Sequence, residues 1–395
     1  MKHHAPVAIT GIGCLSAAGL NLKENIESLF QRNGKAASPR RFSSSHSVSY
    51  PVFEVFEEED IVNSNVSRTS RLGLMAALEA LKDAEWSPQK LSKKRTGVCI
   101  GTTVGSAMNN EAFYRDYREG LHPDMAVIER FLNSNPASTI AREFGLPGPC
   151  QTVVNACSSG TDAIGIGASW IRSGICDVVI CGGADELCRV TYNGFISLMI
   201  TDESTCKPFD RDRKGLNLGE GAAILILESE DTVRERENQI RSFVLGYGSA
   251  SDGYHPTAPR PDGQGLREAL GAALTNSGVS IEDIAFVNAH GTGTSENDRV
   301  EGRVLSEMLT GVPFLSTKGY TGHTLGSAGA IEAAFTVGCL EAGRAPASAG
   351  FTTLDPDVSV SPVSQPMTLT RNIAVSESLA FGGHNSALVF DKEKE

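Results

Sequence analysis

Short, nearly uninterrupted apolar runs recur along the chain and alternate with segments whose apolar residues follow a helical period. Continuous apolar runs are typical of strands that are covered on both faces. The pattern therefore predicts an α/β architecture. The predicted strands are residues 6–10, 96–101, 151–155, 177–181, 222–227, 285–288 and 387–390. The predicted helices are residues 71–84, 158–172, 265–276 and 327–341.

The order of these elements repeats in the second part of the chain. In each part a strand leads into a Gly-x-Gly segment, a later strand ends in a Gly/Thr-rich turn, and a last strand is followed by a helix of small residues. The paired segments are 11–13 with 246–248, 101–103 with 290–292, and the helices that start near 157 and 323. We therefore expect an internal duplication, with a first half at 1–245 and a second half at 246–395.

Composition narrows the functional classes. At 395 residues the chain is long enough for about two domains, and its 40% hydrophobic residues are ordinary for a globular protein. The net charge of −12 makes nucleic acid or an anionic membrane an unsuitable partner. No apolar run approaches the roughly 20 residues that span a bilayer. The N-terminus lacks the pattern of a signal peptide. The nine cysteines include no C-x-x-C pair, which favours the cytoplasm and argues against a disulfide framework or a structural zinc site.

One cysteine lies in an unusual context. Cys157 follows a predicted strand and precedes a helix rich in Ala and Gly, so its sulfur is expected on a sharp turn at a helix N-terminus. The free N–H groups and the helix dipole at such a position favour the reactive thiolate. A backbone N–H at the turn can also stabilise an oxyanion. We therefore interpret Cys157 as a candidate nucleophile, and we interpret the other cysteines as core residues.

Two histidines follow buried strands in the second half. His290 begins the segment His290-Gly291-Thr292-Gly293-Thr294, and His323 follows Lys318 within a second Gly/Thr-rich segment. The C-terminal ends of strands are where α/β sheets place their chemistry. One cysteine and two histidines make a plausible acyl-transfer constellation, although each histidine alone is more often structural.

These motifs, taken in order, resemble the β-ketoacyl-acyl-carrier-protein synthases of the KAS I/KAS II type. The match extends over essentially the whole chain. The segments that carry it are Val-Ala-Ile-Thr-Gly-Ile-Gly at 7–13, Asn-Ala-Cys-Ser-Ser-Gly at 155–160, Pro-Phe-Asp at 208–210 with Gly-Glu-Gly-Ala at 219–222, the His290 segment, Ser-Thr-Lys at 316–318 with Gly322-His323, and Phe-Gly-Gly at 381–383.

The resemblance implies a thiolase-like fold of two similar halves in a five-layered αβαβα arrangement, in a protein that is usually dimeric. It also implies a set of roles. Cys157 is the nucleophile that accepts the acyl group, and His290 and His323 promote malonyl decarboxylation and stabilise the enolate. The supporting residues implied are Lys318 as the charged support, Asp298 and Glu301 as buried carboxylates near it, Thr292 and Thr294 as phosphopantetheine ligands, and Phe381 as a gate whose N–H joins that of Cys157 in the oxyanion hole.

The implied reaction is a decarboxylative Claisen condensation of an acyl-enzyme thioester with a malonyl group on an acyl carrier protein. Acyl transfer to sulfur divides a difficult reaction into two easier steps. Neutral imidazole N–H groups can stabilise the developing enolate, so neither a metal nor a redox cofactor is expected. Gly11-Ile12-Gly13 matches the first two glycines of a dinucleotide-binding motif, but Ser16 occupies the third glycine position, and the implied reaction does not call for NAD.

Several positions depart from the family pattern. The family's usual Phe-Gly-Phe-Gly-Gly-Thr-Asn is here 379–385 with His384 in place of Thr, Leu216 replaces a Phe after Lys214-Gly215, and the segment 194–207 is shorter. The basic run before the first long helix is reduced to Arg68 and Arg71, behind an acidic patch at 57–60. Because acyl pocket, gate and carrier docking are expected there, we hypothesise a specialised pathway such as polyene or aryl polyene synthesis. His384 is either a structural histidine or a residue that reshapes the gate.

Other assignments stay open at this stage. Thiolases and chalcone-synthase-like enzymes resemble this chain but use Cys-His-Cys or Cys-His-Asn sites, whereas His323 stands in the third place here. A chain-length factor, the catalytically silent partner of some ketosynthases, usually lacks the nucleophile that Cys157 supplies. The chain can instead be the active subunit of such a heterodimer, or a homodimer.

Overall fold

The computed structural model describes residues 4–32, 34, 36–56, 66–103, 105, 110–358 and 360–392. The acidic patch predicted at 57–60 lies outside the described residues. The strands are β1 (Val7–Ser16), β2 (Thr96–Gly101), β3 (Cys150–Val153), β4 (Val178–Asp185), β5 (Gly221–Glu228), β6 (Ser242–Ser251), β7 (Ile284–Asn288), β8 (Phe314–Leu315), β9 (Arg344–Ala345), β10 (Met367–Thr368), β11 (Ile373–Ala380) and β12 (His384–Asp391). The α-helices are α1 (Leu22–Gln31), α2 (Arg68–Asp83), α3 (Pro88–Leu91), α4 (Glu111–Arg118), α5 (Ala126–Asn133), α6 (Pro136–Glu143), α7 (Ser159–Arg172), α8 (Arg189–Ser197), α9 (Glu230–Arg236), α10 (Gln264–Ser277), α11 (Ser295–Met308), α12 (Lys318–Thr321) and α13 (Ala328–Ala342).

The main sheet is mixed and repeats the same topology on its two sides. Its ten strands have the order β3-β2-β4-β5-β1-β6-β12-β11-β7-β8. On each side an outer group of parallel strands (β3-β2-β4 and β8-β7-β11) continues into antiparallel pairs (β4-β5-β1 and β11-β12-β6). The sides meet where β1 pairs with β6. The expected division at residue 245 falls inside β6, and we propose that the second half begins with this strand.

Helices cover the sheet in layers. The helices α7 and α13 lie between the two sides of the sheet, whereas α2 packs on the outer face of the first side and α10 on the outer face of the second. The resulting order is α2, sheet, α7 with α13, sheet, α10. The middle helix α13 is almost entirely buried, which agrees with its continuous apolar sequence.

The Gly-x-Gly segments belong to the strands themselves, whereas the sequence suggested only that a strand leads into each of them. Gly11 and Gly13 lie within β1, and Gly246 and Gly248 lie within β6. A Cβ at any of these positions would overlap a backbone oxygen of the covering helix, which is α2 over β1 and α10 over β6. The glycines therefore allow each outer helix to approach its strand closely.

The strand β11 was not predicted because its residues 376–378 are Ser-Glu-Ser, which interrupts an apolar pattern. These three polar side chains are nevertheless buried between β7 and β12. The short helices α4 and α5 and the amphipathic α1 were also missed. A search of the described residues for a helix that could cross a membrane finds none with the necessary length and apolar character.

Candidate active site

The turn that carries Cys157 joins β3 to α7. Ala156 has a positive φ of 48°, and residues Ala156–Ser158 form one 3₁₀ turn before the helix begins. Asp162 on the first turn of α7 accepts hydrogen bonds from Asn155 Nδ2 (2.8 Å) and Ser158 Oγ (2.9 Å). Because these contacts hold the residues on both sides of Cys157, its sulfur is fixed at the helix N-terminus.

The second half contains a matching turn. Leu325 has a positive φ of 55° and starts a 3₁₀ turn, Leu325–Ser327, that leads into α13. The two helices that follow these turns cross closely at glycines, since a Cβ on Gly160 would meet the backbone of Ala330. The crossing therefore brings the turns at the N-termini of α7 and α13, one from each half, close to each other.

The folding of both halves brings together the three residues that sequence suggested. The Sγ of Cys157 and one ring nitrogen each of His290 and His323 all lie within 4.8 Å of one another. All three residues are buried. The imidazole rings are nearly perpendicular, with centroids 5.2 Å apart and an angle of 85° between planes. His290 follows β7, and His323 follows the short helix α12.

Hydrogen bonds assign the tautomer of each imidazole. Nδ1 of His323 accepts from the backbone N–H of Leu325 (3.1 Å), and Nδ1 of His290 lies 3.0 Å from Nζ of Lys318. Since Nδ1 acts as acceptor in both rings, the proton of each neutral imidazole belongs on Nε2. Two N–H donors are thereby available beside the sulfur.

Burial sets the protonation of these groups. It lowers the pKa of His290 and of His323 well below the usual value, and the charge of Lys318 adds to this effect. Both rings are therefore neutral at pH 7. For Cys157 burial is again the largest effect and raises the pKa of the thiol to about 11, although the N–H of Phe381 and the charge of Lys318 act in the opposite direction. The thiol is therefore protonated at rest, because desolvation outweighs the stabilisation at the helix end.

Lys318 lies behind His290 and is fully buried. Its Nζ donates to the backbone oxygen of His290 (2.6 Å) and forms an ion pair with Glu332 of α13. Burial raises the pKa of Glu332 to about 7, and the adjacent lysine counteracts this shift. Glu332 was missed from the sequence, although an acid within the apolar run 328–335 is the signal that could have identified it.

The predicted carboxylates Asp298 and Glu301 lie on α11, but they organise backbone instead of pairing with Lys318. Glu301 accepts from the N–H groups of His290 (2.6 Å) and Gly291 (2.8 Å). Asp298 accepts from Phe209 N–H (2.7 Å) and Gly293 N–H (3.2 Å). The guanidinium of Arg213 lies 3.6 Å from the same carboxylate. Both carboxyls therefore shape the loop that presents His290.

A cavity of about 300 Å³ leads from Cys157 to the surface. Thr292 and Thr294 line it, with 2.9 Å between their hydroxyl oxygens, and Lys214 lies at its exposed end. The cavity wall also contains residues of the segments that depart from the family pattern, namely 194–207, 216 and 379–385. They are Phe195, Met199, Ile200, Leu216, Leu379, Ala380 and Phe381.

Phe381 lies at the junction of β11 and β12. Its backbone N–H lowers the pKa of the Cys157 thiol, and the N–H of Cys157 itself has a smaller effect in the same direction. Its ring stacks on that of Phe195, which sequence analysis did not identify. His384 is the first residue of β12, is half-buried and pairs with Ala380 and Ser251 in the sheet, and it does not line the cavity.

Arg68 is not a surface residue. Its guanidinium binds the buried carboxylate of Glu220 at 2.7 Å, and its side chain is only 8% exposed. The expectation that Arg68 belongs to a basic docking surface is therefore wrong.

Comparison with known proteins agrees with this arrangement. Residues 4–232 match the family "Beta-ketoacyl synthase, N-terminal domain", and residues 241–352 match "Beta-ketoacyl synthase, C-terminal domain". The chain belongs to the β-ketoacyl synthase family. The members of this family are acyltransferases of the thiolase superfamily. This confirms the predicted family, reaction class and thiolase-like αβαβα fold.

Three relatives illustrate the range of the family. A putative mitochondrial 3-oxoacyl-[acyl-carrier-protein] synthase of Schizosaccharomyces pombe is 32% identical over 98% of this chain and 99% of its own length. The tetracenomycin polyketide synthase ketoacyl synthase alpha subunit of Streptomyces glaucescens is 34% identical, covering 84% of this chain and 83% of that protein. The solved structure of the ishigamide ketosynthase/chain length factor superposes with a TM-score of 0.94 at 30% identity, over 99% of this chain and 100% of that one.

Proposed function

We propose that this chain extends an acyl group by decarboxylative condensation, with Cys157 as nucleophile and His290 and His323 as donors to the enolate. The observation that carries the proposal is the 4.8 Å cluster of one sulfur and two neutral imidazoles at the inner end of the cavity. Lys318 supports His290, and Asp298 and Glu301 hold its loop.

In the first half-reaction the sulfur of Cys157 attacks an acyl thioester. The thiol is protonated at rest and both imidazoles already carry their proton on Nε2, so the thiol proton passes to the departing carrier sulfur as the new carbon–sulfur bond forms. The oxyanion of the tetrahedral intermediate takes the place between the N–H groups of Cys157 and Phe381. The carrier thiol leaves with the transferred proton, and the acyl group stays on Cys157.

In the second half-reaction a malonyl thioester loses CO₂. The electron pair of the broken carbon–carbon bond becomes an enolate, whose oxygen accepts from the Nε2–H groups of His290 and His323. The enolate carbon attacks the acyl-Cys157 carbonyl, and the sulfur departs as a thiolate that takes up one proton from solvent water. Neutral imidazoles suit this step because they donate hydrogen bonds without adding positive charge beside Lys318.

We propose that both substrates arrive on the phosphopantetheine arm of an acyl carrier protein and that no cofactor of the enzyme takes part. The hydroxyls of Thr292 and Thr294 lie along the cavity, where they suit the amides of the arm. Lys214 at the exposed end makes no ion pair or hydrogen bond with the described residues and suits the phosphate. The cytoplasm remains the expected location.

We propose that the chain acts as a dimer through the outer face near β3. The helices α4 and α5 bury none of their residues against the rest of the described chain. The exposed apolar side chains there are Tyr114, Tyr117, Leu121, Met125, Phe131, Leu132 and Val154. Large exposed apolar patches mark interfaces. The similarity to the ishigamide ketosynthase/chain length factor favours a heterodimer in which this chain, with Cys157, is the active subunit.

The test is intact-mass spectrometry after incubation with saturated and unsaturated acyl-carrier-protein thioesters of graded length. The wild-type chain is expected to gain one acyl group, and Cys157→Ala is expected to gain none while still releasing CO₂ from malonyl carrier protein. Acylation of the Cys157→Ala variant would contradict the proposal. The polyene hypothesis stays a prediction, and equal or better use of saturated primers would count against it.

A further inference from the structure

The catalytic steps above leave Glu377, a buried carboxyl, without a role. It lies within β11, whose neighbours on both sides are β7 and β12, and its accessible surface is 0%. Neither of its carboxyl oxygens receives a hydrogen bond from an N–H or hydroxyl donor of the described residues. An ionised carboxylate in such a place is costly, because desolvation is not offset by donors or by a cation.

The groups that face Glu377 are acidic. Its side chain is within hydrogen-bonding reach of Glu301 on α11, and it also experiences the charge of Glu332 on α13. The nearby cation, Lys318 on α12, is already engaged by Glu332 and His290. The described residues therefore supply Glu377 with no ion pair of its own.

The hydrogen-bond inventory decides where the proton between the two carboxyls belongs. Glu301 accepts from three donors, the N–H groups of His290 and Gly291 and Nδ2 of Asn297 at 2.9 Å. These donors stabilise the ionised form of Glu301. A carboxylate only accepts, whereas a protonated carboxyl can also donate, and two adjacent carboxyls do not ionise together. Glu377 must then be the member that carries the proton.

We propose that Glu377 is a protonated carboxylic acid that donates its O–H to Glu301 and thereby acts as a positioning residue for His290. Glu301 holds the backbone N–H of His290 and of Gly291, while Lys318 holds Nδ1 of the same imidazole. The O–H of Glu377 fixes the carboxylate of Glu301 and thereby stabilises the contact of Glu301 with the backbone of His290. This proposal rests on the proposed function for its kinetic consequences, but the protonation state can be tested without it.

The arrangement has a consequence for pH. Burial and the charges of Glu301 and Glu332 raise the pKa of Glu377 well above the ordinary value. The folded state then holds a proton that the unfolded chain loses near pH 4.5, so the free energy of unfolding falls as pH rises above that value. Ionisation at alkaline pH would place a second negative charge beside Glu301 and displace the turn that presents His290.

The experiment compares Glu377→Gln with Glu377→Leu, using Glu307→Gln as control because Glu307 is an exposed glutamate on the same helix as Glu301. The amide of Glu377→Gln is neutral and can donate to Glu301, so malonyl decarboxylation at pH 7 is expected within about twofold of wild type. Its activity and stability are expected to persist to higher pH than those of wild type. In Glu377→Leu, which has no donor, decarboxylation is expected to fall at least tenfold while acylation of Cys157 continues.

Infrared spectroscopy of ¹³C-glutamate-labelled wild-type enzyme provides the measurement that is independent of activity. A protonated-carboxyl C=O band is expected at pH 7, and its intensity is expected to fall by one carboxyl in Glu377→Gln and to stay unchanged in Glu307→Gln. The proposal is overturned if the band of Glu377→Gln is as strong as that of wild type, or if Glu377→Gln loses more than tenfold activity together with a bound cation found by elemental analysis. If wild type is never acylated on Cys157, the proposed function fails while the band still decides the state of Glu377.

Discussion

The rings of Phe381 and Phe195 stack with centroids 5.6 Å apart and planes inclined by 12°. The backbone N–H of Phe381 also lowers the pKa of the Cys157 thiol, so the stacking connects α8 to the position of one proposed oxyanion-hole donor. Both rings line the cavity. The short segment that follows Phe195 therefore influences the reacting centre through a direct aromatic contact.

Replacing Phe195 with Ala is expected to lower kcat/KM for acylation of Cys157 by about two- to tenfold, because an aromatic pair contributes about 0.5–1.5 kcal/mol beyond its buried area. The loss should appear in acylation, measured by intact mass over time, since the Phe381 N–H is no longer held in place. Phe195→Leu retains the apolar bulk and should lose less. Equal rates for Phe195→Ala and wild type would show that Phe381 is held by its own loop alone.

The reactivity of Cys157 towards iodoacetamide tests the protonation state of its thiol. Since burial raises the pKa of this thiol to about 11, alkylation of the free enzyme should accelerate steadily between pH 7 and pH 10. The measurement uses a Cys150→Ser background, because Cys150 is an exposed cysteine and the other cysteines are buried. A rate that is already constant above pH 7 would mean that the helix N-terminus and the imidazoles stabilise the thiolate after all.

The sequence was sufficient to select Cys157, His290 and His323 as the residues that the fold brings together, because their motifs combine local turns with a fixed order along the chain. It could not show that burial outweighs the helix dipole at Cys157, since desolvation depends on what the other half places around the sulfur. The partner of Lys318 was missed for the same reason. Glu332 is fourteen residues away on α13, and only the crossing of α7 and α13 brings that helix under the site.

The fold was predicted best where strands are purely apolar. β2 has the predicted bounds of 96–101. β11 was missed because Glu377 interrupts its apolar pattern, although this carboxyl is also buried. The first strand was predicted to end at residue 10, before Gly11, because glycine marks both strand ends and close helix–strand contacts, and these alternatives differ only in tertiary packing.

Lys214 is expected to bind the phosphate of the substrate arm. Replacing it with Ala should raise KM roughly two- to fivefold for acyl-phosphopantetheine, as an exposed ion pair contributes about 0.2–1 kcal/mol. The KM for the dephosphorylated acyl-pantetheine should not change. The control is Arg211→Ala, which removes the same charge from an exposed residue of the same loop that does not line the cavity.

If Lys214→Ala instead impairs only acyl carrier protein, and both small thioesters react as with wild type, the lysine contacts the surface of the carrier. An equal loss with both small thioesters would point to a structural defect of the cavity. Both results would contradict the assignment to phosphate, because only a phosphate contact distinguishes the two small molecules.

The crossing of α7 and α13 should be the most sensitive point of the fold to added volume. A Cβ on Gly329 would overlap the hydroxyl of Thr161, and the hydroxyl of Ser378 is also close. Gly329→Ala is therefore expected to lower the free energy of unfolding by about 1–3 kcal/mol, the usual cost of overpacking, in spite of the higher helix propensity of alanine. Gly271 in α10 is the matched control, because a Cβ there meets no atom within 4 Å. Gly271→Ala should raise stability by about 0.5–1 kcal/mol. Urea denaturation measures the free energy of unfolding of both variants. If Gly329→Ala is as stable as wild type, the two helices can move apart at this crossing while His323 stays beside Cys157.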